Sequence, residues 1–329
     1  MEMFVSFCIV VLLAVIAFAG VELVNLQFLF GVIIPYAAFA VFVIGFINRV
    51  IQWGRSPVPF HIPTTCGQQK SLPWIKDSKL DNPTGTLGVI GRMALEVFFF
   101  RSLFRNLKTG IQNGELKYTG TKWLWLGGLI FHYSFFIVLV RHLRFFTDPV
   151  PPFVNYLDIL DGYLKTGSPN LLITGWVLLG AVIYLFLRRA FIPGVRYISL
   201  TADYFPLFLI TGVALSGIIM RYYIKVDIVS VKQLTMGLVT FSPVVPQGIG
   251  SIFFIHLFLI CVLFAYFPFS KLMHMGGVFL SPTRNLPNNS RIRRHINPWN
   301  YDVKVHTYEE YEEEFRDKMK SVGLPVEKE

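Results

Sequence analysis

The chain reads as long apolar runs separated by charged loops. Six stretches, 3–23, 28–47, 123–143, 171–191, 204–224 and 249–274, come close to or reach the roughly 20 apolar residues that cross a hydrocarbon core about 30 Å thick. Lipid offers a backbone no outside hydrogen-bond partner, so each run is expected to be helical. The pattern predicts an all-α, polytopic transmembrane bundle of about six spans. A signal peptide is the competing reading of the first run. No Lys or Arg precedes it, however, and Ala17, Ala19 and Gly20 form a weak cleavage pattern, so a retained helix is expected. The chain then divides into an N-terminal helix (1–27), a core (28–280) with a long insertion (48–122), and a charged tail (281–329). Residues 309–329, of mixed charge, read as a solvated helix or disordered chain.

Composition agrees: 53% of the 329 residues are hydrophobic and the mean hydropathy is +0.54. The net charge of +10 follows topology rather than a nucleic-acid groove. Residues 49–122 hold eleven Lys or Arg against four acids, whereas 144–170 hold only Arg144 and Lys165 against Asp148, Asp158 and Asp161. Arg188, Arg189 and Arg196 make the next link basic, and Arg284, Arg291, Arg293 and Arg294 do the same for the tail. The positive-inside rule puts these basic segments and both termini in the cytoplasm, within a multi-pass protein of the cell membrane. Residues 85–118, with Arg92, Arg101, Arg105 and Lys108 among Leu and Phe, read as an amphipathic interfacial helix that meets lipid headgroups or a partner. Cys8, Cys66 and Cys261 are too scattered for an iron–sulfur or zinc set, so any such cluster belongs to a partner.

Four of the seven histidines fall inside apolar runs: His132 and His142 in one, His256 and His274 in another. Ionisable groups in a membrane are costly and usually functional, and neutral imidazole is a common axial ligand of haem iron. Two crossings separate these runs, so their helices are antiparallel; His132 then shares a level with His274, and His142 with His256. At 1.5 Å per residue the two spacings are roughly 15 Å and roughly 27 Å, a mismatch that helix tilt and a break near Pro268 can absorb. The expectation is two stacked b-type haems, held noncovalently because no C-x-x-C-H sequence is present. His61, His295 and His306 read as solvated surface residues. The aromatic runs Phe98–Phe100 and Phe135–Phe136 read as packing or lipid-facing.

These segments resemble the gamma-subunit family of respiratory nitrate reductase, and within it the DsrM branch. HLFLICVLFAYFPFSKLMHM looks like that family's last helix, with a PFS turn, a basic residue and a second histidine eighteen positions after the first. FHYSFFIVLVRH looks like its paired-histidine helix. PYAAFAVFVIGFINR and RRAFIPGVRYISLTADYFPLFLITGVALSG are similar to neighbouring elements, and SPVPFHIPTTCGQQKSLPWI to the DsrM insertion. The resemblance spans roughly residues 30–280. It implies a menaquinone-linked dihaem cytochrome b that passes electrons between quinone and a cytoplasmic iron–sulfur subunit, DsrK-like and akin to heterodisulfide reductase, within a DsrMKJOP complex of sulfur metabolism.

Arg141, Arg144 and Asp148 surround His142 at the outer end and are candidate quinone-site residues. Snorkelling or haem-propionate binding is the favoured role of the two arginines. A gamma-type subunit of another respiratory oxidoreductase, of nitrate or heterodisulfide, stays open. So does a proton-coupled transporter, which would need acids within the spans, where Glu22 is the single candidate.

Overall fold

Among the described residues, six helices are long and apolar enough to cross a membrane, and they organise the computed structural model of this multi-pass protein. The structure describes residues 1–56, 74, 78–112, 114–164, 169–288 and 305–328. His61, Cys66, most of the SPVPFHIPTTCGQQKSLPWI segment, Arg291, Arg293, Arg294 and His295 lie outside the described residues.

In chain order the elements are α1 (Glu2–Glu22), α2 (Ile34–Arg55, entered through a π turn at Leu29–Ile33), α3 (Thr86–Phe99) and α4 (Arg101–Arg105). A hairpin of β1 (Leu107–Gln112) and β2 (Glu115–Gly120) follows. Then come α5 (Lys122–His142), α6 (Pro152–Asp161), α7 (Ile173–Phe191), α8 (Pro193–Tyr197) and α9 (Thr201–Ile219). The remainder is α10 (Ile228–Val239), α11 (Ser251–Tyr266), α12 (His274–Leu280), α13 (Pro282–Asn285) and α14 (Tyr308–Ser321). The spans are α1, α2, α5, α7, α9 and α11, some extended by short turns.

Neighbouring spans pack in a chain: α5 on α7, α7 on α9, α9 on α1 and α11, and α11 on α1 and α2. The first helix is therefore an integral wall of the bundle. Its Glu2 accepts from the Thr201 backbone N–H at 3.2 Å and from the Thr201 hydroxyl, capping the start of α9 from a distance. Two apolar clusters fill the bundle. Phe30, Leu234, Phe253 and Phe254 lie at the end where α10 caps it, and Val10, Val182, Leu209 and Leu259 lie deeper. Close approach depends on missing side chains: a Cβ on Gly45 of α2 would fall 2.8 Å from Pro268 Cβ.

The stretch 85–118 is not the single helix that its sequence suggests. α3 stops at Phe100, whose φ of +50° turns the chain left-handed, and a Cβ-bearing residue there cannot propagate a helix. β-favouring Thr109, Ile111, Tyr118 and Thr119 then pair across the hairpin, closed by Gly114 at φ +81°.

A polar clasp joins residues 78–105 to 281–288. Arg92, 8% exposed, donates from Nε to the Arg284 carbonyl at 3.0 Å, from Nη1 to the Asp81 carbonyl at 3.2 Å and from Nη2 to the Leu286 carbonyl at 3.2 Å. Asp81 pairs with Arg101 and Arg105, and Arg284 with Glu96. The Arg101 guanidinium, helped by Arg105 and Ser78, holds the Asp81 carboxyl well below the usual range despite its desolvation. Replacing Arg92 with Met should leave three carbonyls without their donor and cost about 3 kcal/mol locally. Hydrogen exchange at the Asn288 amide, bonded to the Pro83 carbonyl at 2.7 Å, should then accelerate roughly 100-fold. An unchanged rate would mean that Arg92 does not hold the clasp.

Candidate cofactor site

α5 carries His132 and His142 about 15 Å apart along the helix axis and about 80° apart around it. The PFSK sequence decides where the facing histidines stand. α11 ends at Tyr266, and two tight turns, Phe267–Phe269 and Lys271–Met273, replace the continuous helix before α12 begins at His274. Pro268 is buried against Gly45, the Ser270 hydroxyl caps the second turn by accepting from the Leu272 N–H at 3.2 Å, and Lys271 reaches Asp203 of α9 at 2.8 Å. This break removes the length mismatch expected of an unbroken helix. The His132 and His274 ring centres lie 5.9 Å apart, nearly perpendicular at 86°. Those of His142 and His256 lie 6.4 Å apart, with planes at 21°. Yet α5 and α11 are not among the closely packed helix pairs, so their histidines meet across a gap.

Each ring has Nδ1 committed to its own surroundings. His132 Nδ1 lies 2.7 Å from the Gly128 carbonyl, His142 Nδ1 2.6 Å from that of Val138, and His274 Nδ1 3.0 Å from that of Lys271. A carbonyl only accepts, so Nδ1 carries the hydrogen in all three. His256 Nδ1 meets the Ser216 hydroxyl at 2.8 Å; that hydroxyl donates to the Gly212 carbonyl at 2.8 Å and so presents its lone pair to the ring. Nε2 is therefore the lone-pair nitrogen of every ring, and among the described residues none of the four has a hydrogen-bond donor. This is the arrangement by which proteins fix the tautomer of a metal-binding imidazole.

The donor set discriminates between kinds of metal group. Two metal–nitrogen bonds of about 2 Å, with each nitrogen about 1 Å from its ring centre, put paired imidazoles roughly 6 Å apart, as both pairs are. Among the described residues no group of three or more His, Cys, Asp or Glu could hold a bare ion. Two opposed imidazoles and no third protein ligand suit an iron whose equatorial nitrogens come from a macrocycle, and haem b fits these residues. Exposure points the same way: His132 and His274 are exposed, at positions where an uncovered imidazole in hydrocarbon would be costly.

The three candidates around His142 separate. Arg141 donates to Asp158 at 3.1 Å and pairs with Asp161, which also accepts from the Thr174 N–H at 2.7 Å. Its guanidinium thus ties α6 and α7 to the end of α5. Arg144 Nη2 reaches Asp158 at 3.0 Å. Asp148 stands apart, exposed, with Lys232 Nζ at 3.4 Å. Several neighbours escaped the sequence reading. Phe100 packs edge-on to His132 at 4.9 Å, Ser216 orients His256, and a Cβ on Gly217 would lie 3.3 Å from His256 Cε1. Ser216 and Gly217 sit five and four positions before Arg221 in an ordinary apolar run, where only their small size signals a close approach. His306, on the charged tail, is exposed and lies 3.8 Å from Glu310.

Residues 92–293 match the family described as the nitrate reductase gamma subunit. An Archaeoglobus fulgidus protein named "Hdr-like menaquinol oxidoreductase cytochrome b-like subunit" is 48% identical over 278 residues, covering 82% of this chain and 83% of that one. Its namesake from Archaeoglobus profundus is 45% identical over 273 residues, 81% of each chain. The matched segment contains α5, α11 and α12, the three elements that carry the four histidines, and the chain belongs to the nitrate reductase gamma subunit family.

Proposed function

We propose that this chain is the dihaem cytochrome b subunit of a membrane quinol-linked oxidoreductase, with His132 and His274 holding the inner haem and His142 and His256 the outer one. The observation that carries this reading is the fourfold repetition of one device, an imidazole whose Nδ1 is fixed and whose ring centre lies 5.9 or 6.4 Å from that of a second histidine. Bound haem supplies one-electron relay between the two levels. The basic inner segments support a cytoplasmic location for both termini.

Menaquinol, named for both relatives, is the proposed donor or, in the reverse direction, menaquinone the acceptor. Oxidation of a quinol gives the quinone, two electrons and two protons. Arg141, Arg144 and Asp148 border the outer pair. Arg141 acts by holding α6 in place, and Asp148, exposed and beside Lys232, offers a carboxylate oxygen for passing protons to water. At the inner end we propose an iron–sulfur partner related to heterodisulfide reductase, DsrK-like, in an assembly of the DsrMKJOP kind; the "Hdr-like" part of the relatives' names supports the first half of this. The β1–β2 hairpin is its proposed contact. One face carries Leu107, Ile111, Leu116 and Tyr118, between 59% and 77% exposed, and the other carries Lys108 and Lys117. A bare two-stranded hairpin is marginal in water, so an uncovered apolar face favours a covering protein. The hairpin leads into α5 ten residues before His132, about 15 Å.

Two outcomes follow. Replacing His142 or His256 with Ala should each remove the same spectral component, about half of the b-type absorbance, and His132 or His274 the other half. Loss of different components within one pair would contradict the pairing. Ile111→Glu with Tyr118→Glu should leave both components intact while the iron–sulfur subunit is lost from the purified complex at least tenfold. Impermeant thiol reagents should reach Ile111→Cys only from the cytoplasmic side. Full retention of the subunit, or labelling from outside, would remove the hairpin from the contact.

A further inference from the structure

The arginines at the bundle's ends fall into two kinds. Arg92 and Arg141 have their guanidinium groups occupied by carbonyls or aspartates. Arg49, Arg221 and, although its Nη2 reaches Asp158 at 3.0 Å, Arg144 each keep a buried Nε–H with no hydrogen-bond partner among the described residues. A guanidinium is always charged, and an N–H sealed from water without an acceptor is a standing cost.

Their positions are not scattered. Arg144 follows His142 by two residues. Arg221 lies on the π turn that ends α9, about one turn beyond Gly217 and its contact with His256, with Nη2 donating to the Asn170 carbonyl at 3.3 Å. Arg49, on α2, lies over the Trp53 ring at 5.9 Å, and Trp53 packs against Gly276 and Gly277 just past His274. Two unpartnered N–H groups thus flank the outer histidine pair and one flanks the inner pair.

We infer that Arg144 and Arg221 hold the carboxylates of the outer haem, and Arg49 a carboxylate of the inner one. This rests on the dihaem reading above and deepens it: guanidinium recognises carboxylate with short, charge-assisted bonds, and haem b brings two such groups. A lipid phosphate offers similar chemistry at the same membrane level, and the two sources differ in what they do to the iron. A cation beside a haem favours the reduced form, so its removal lowers the midpoint potential.

The test is redox titration of the purified full-length holoprotein carrying R49L, R144L or R221L, with R49K and R221K as charge-retaining controls. R144L and R221L should each lower the potential of only the component lost in H142A and H256A, shifting its reduction equilibrium about tenfold, or 59 mV for one electron. R49L should do the same only to the component lost in H132A and H274A, and the Lys variants should recover most of the potential. Unmoved potentials with less co-purifying phospholipid phosphate would assign the arginines to lipid and overturn the inference while leaving the dihaem reading intact. Equal shifts of both components would overturn it as well. Histidine variants that remove no component would sink the ligation itself, and this assignment with it.

Discussion

An imidazole in hydrocarbon has two nitrogens to satisfy, and a helix can provide for only one of them. In this bundle the helix backbone, or a serine beside it, takes Nδ1 of all four histidines, at 2.6–3.0 Å. The second nitrogen is left as a lone pair in a place where water is not the natural partner. Much of the architecture keeps the four rings in two close couples: α5 sets the two levels, the PFSK break brings His274 to the level of His132, and the missing side chain of Gly217 lets His256 sit against α9.

The break shows how a few polar contacts make a functional position. Pro268 cannot continue the helix, Ser270 restarts it, and Lys271 anchors the turn to Asp203 at the start of α9, itself capped from α1 through Glu2. The position of His274 is thereby coupled to three spans. The opposite end of α5 uses ion pairs for the same purpose, with Arg141 between Asp158 and Asp161 fixing α6 where the chain leaves α5. These contacts lie at the ends of the spans, where each buried aspartate is met by a cation.

Six spans were legible because twenty apolar residues in a row allow one solution in lipid, and the histidine levels because antiparallel helices fix which residues meet. Less was legible where local and distant forces compete. Residues 85–118 have the composition of an interfacial helix, but the chain turns left-handed at Phe100, whose ring packs against His132, a contact that no periodicity reveals. Arg141, Arg144 and Asp148 look equivalent along the chain. Only the folded α6 separates the one held by two aspartates from the one with a buried N–H to spare and the one at the surface. The orienting role of Ser216 is silent in sequence because a serine in a membrane helix ordinarily returns its hydrogen to the preceding turn, as this one also does.

The central claim is that each histidine couple binds one six-coordinate haem iron. Quantifying extracted haem per chain in the purified protein, together with electron paramagnetic resonance of its oxidised form, addresses this directly. The account predicts two noncovalent b-type haems per chain, both low-spin, as two strong imidazole ligands require. One haem per chain, or a stoichiometric high-spin signal, would show that at least one of the couples does not ligate iron and would contradict it.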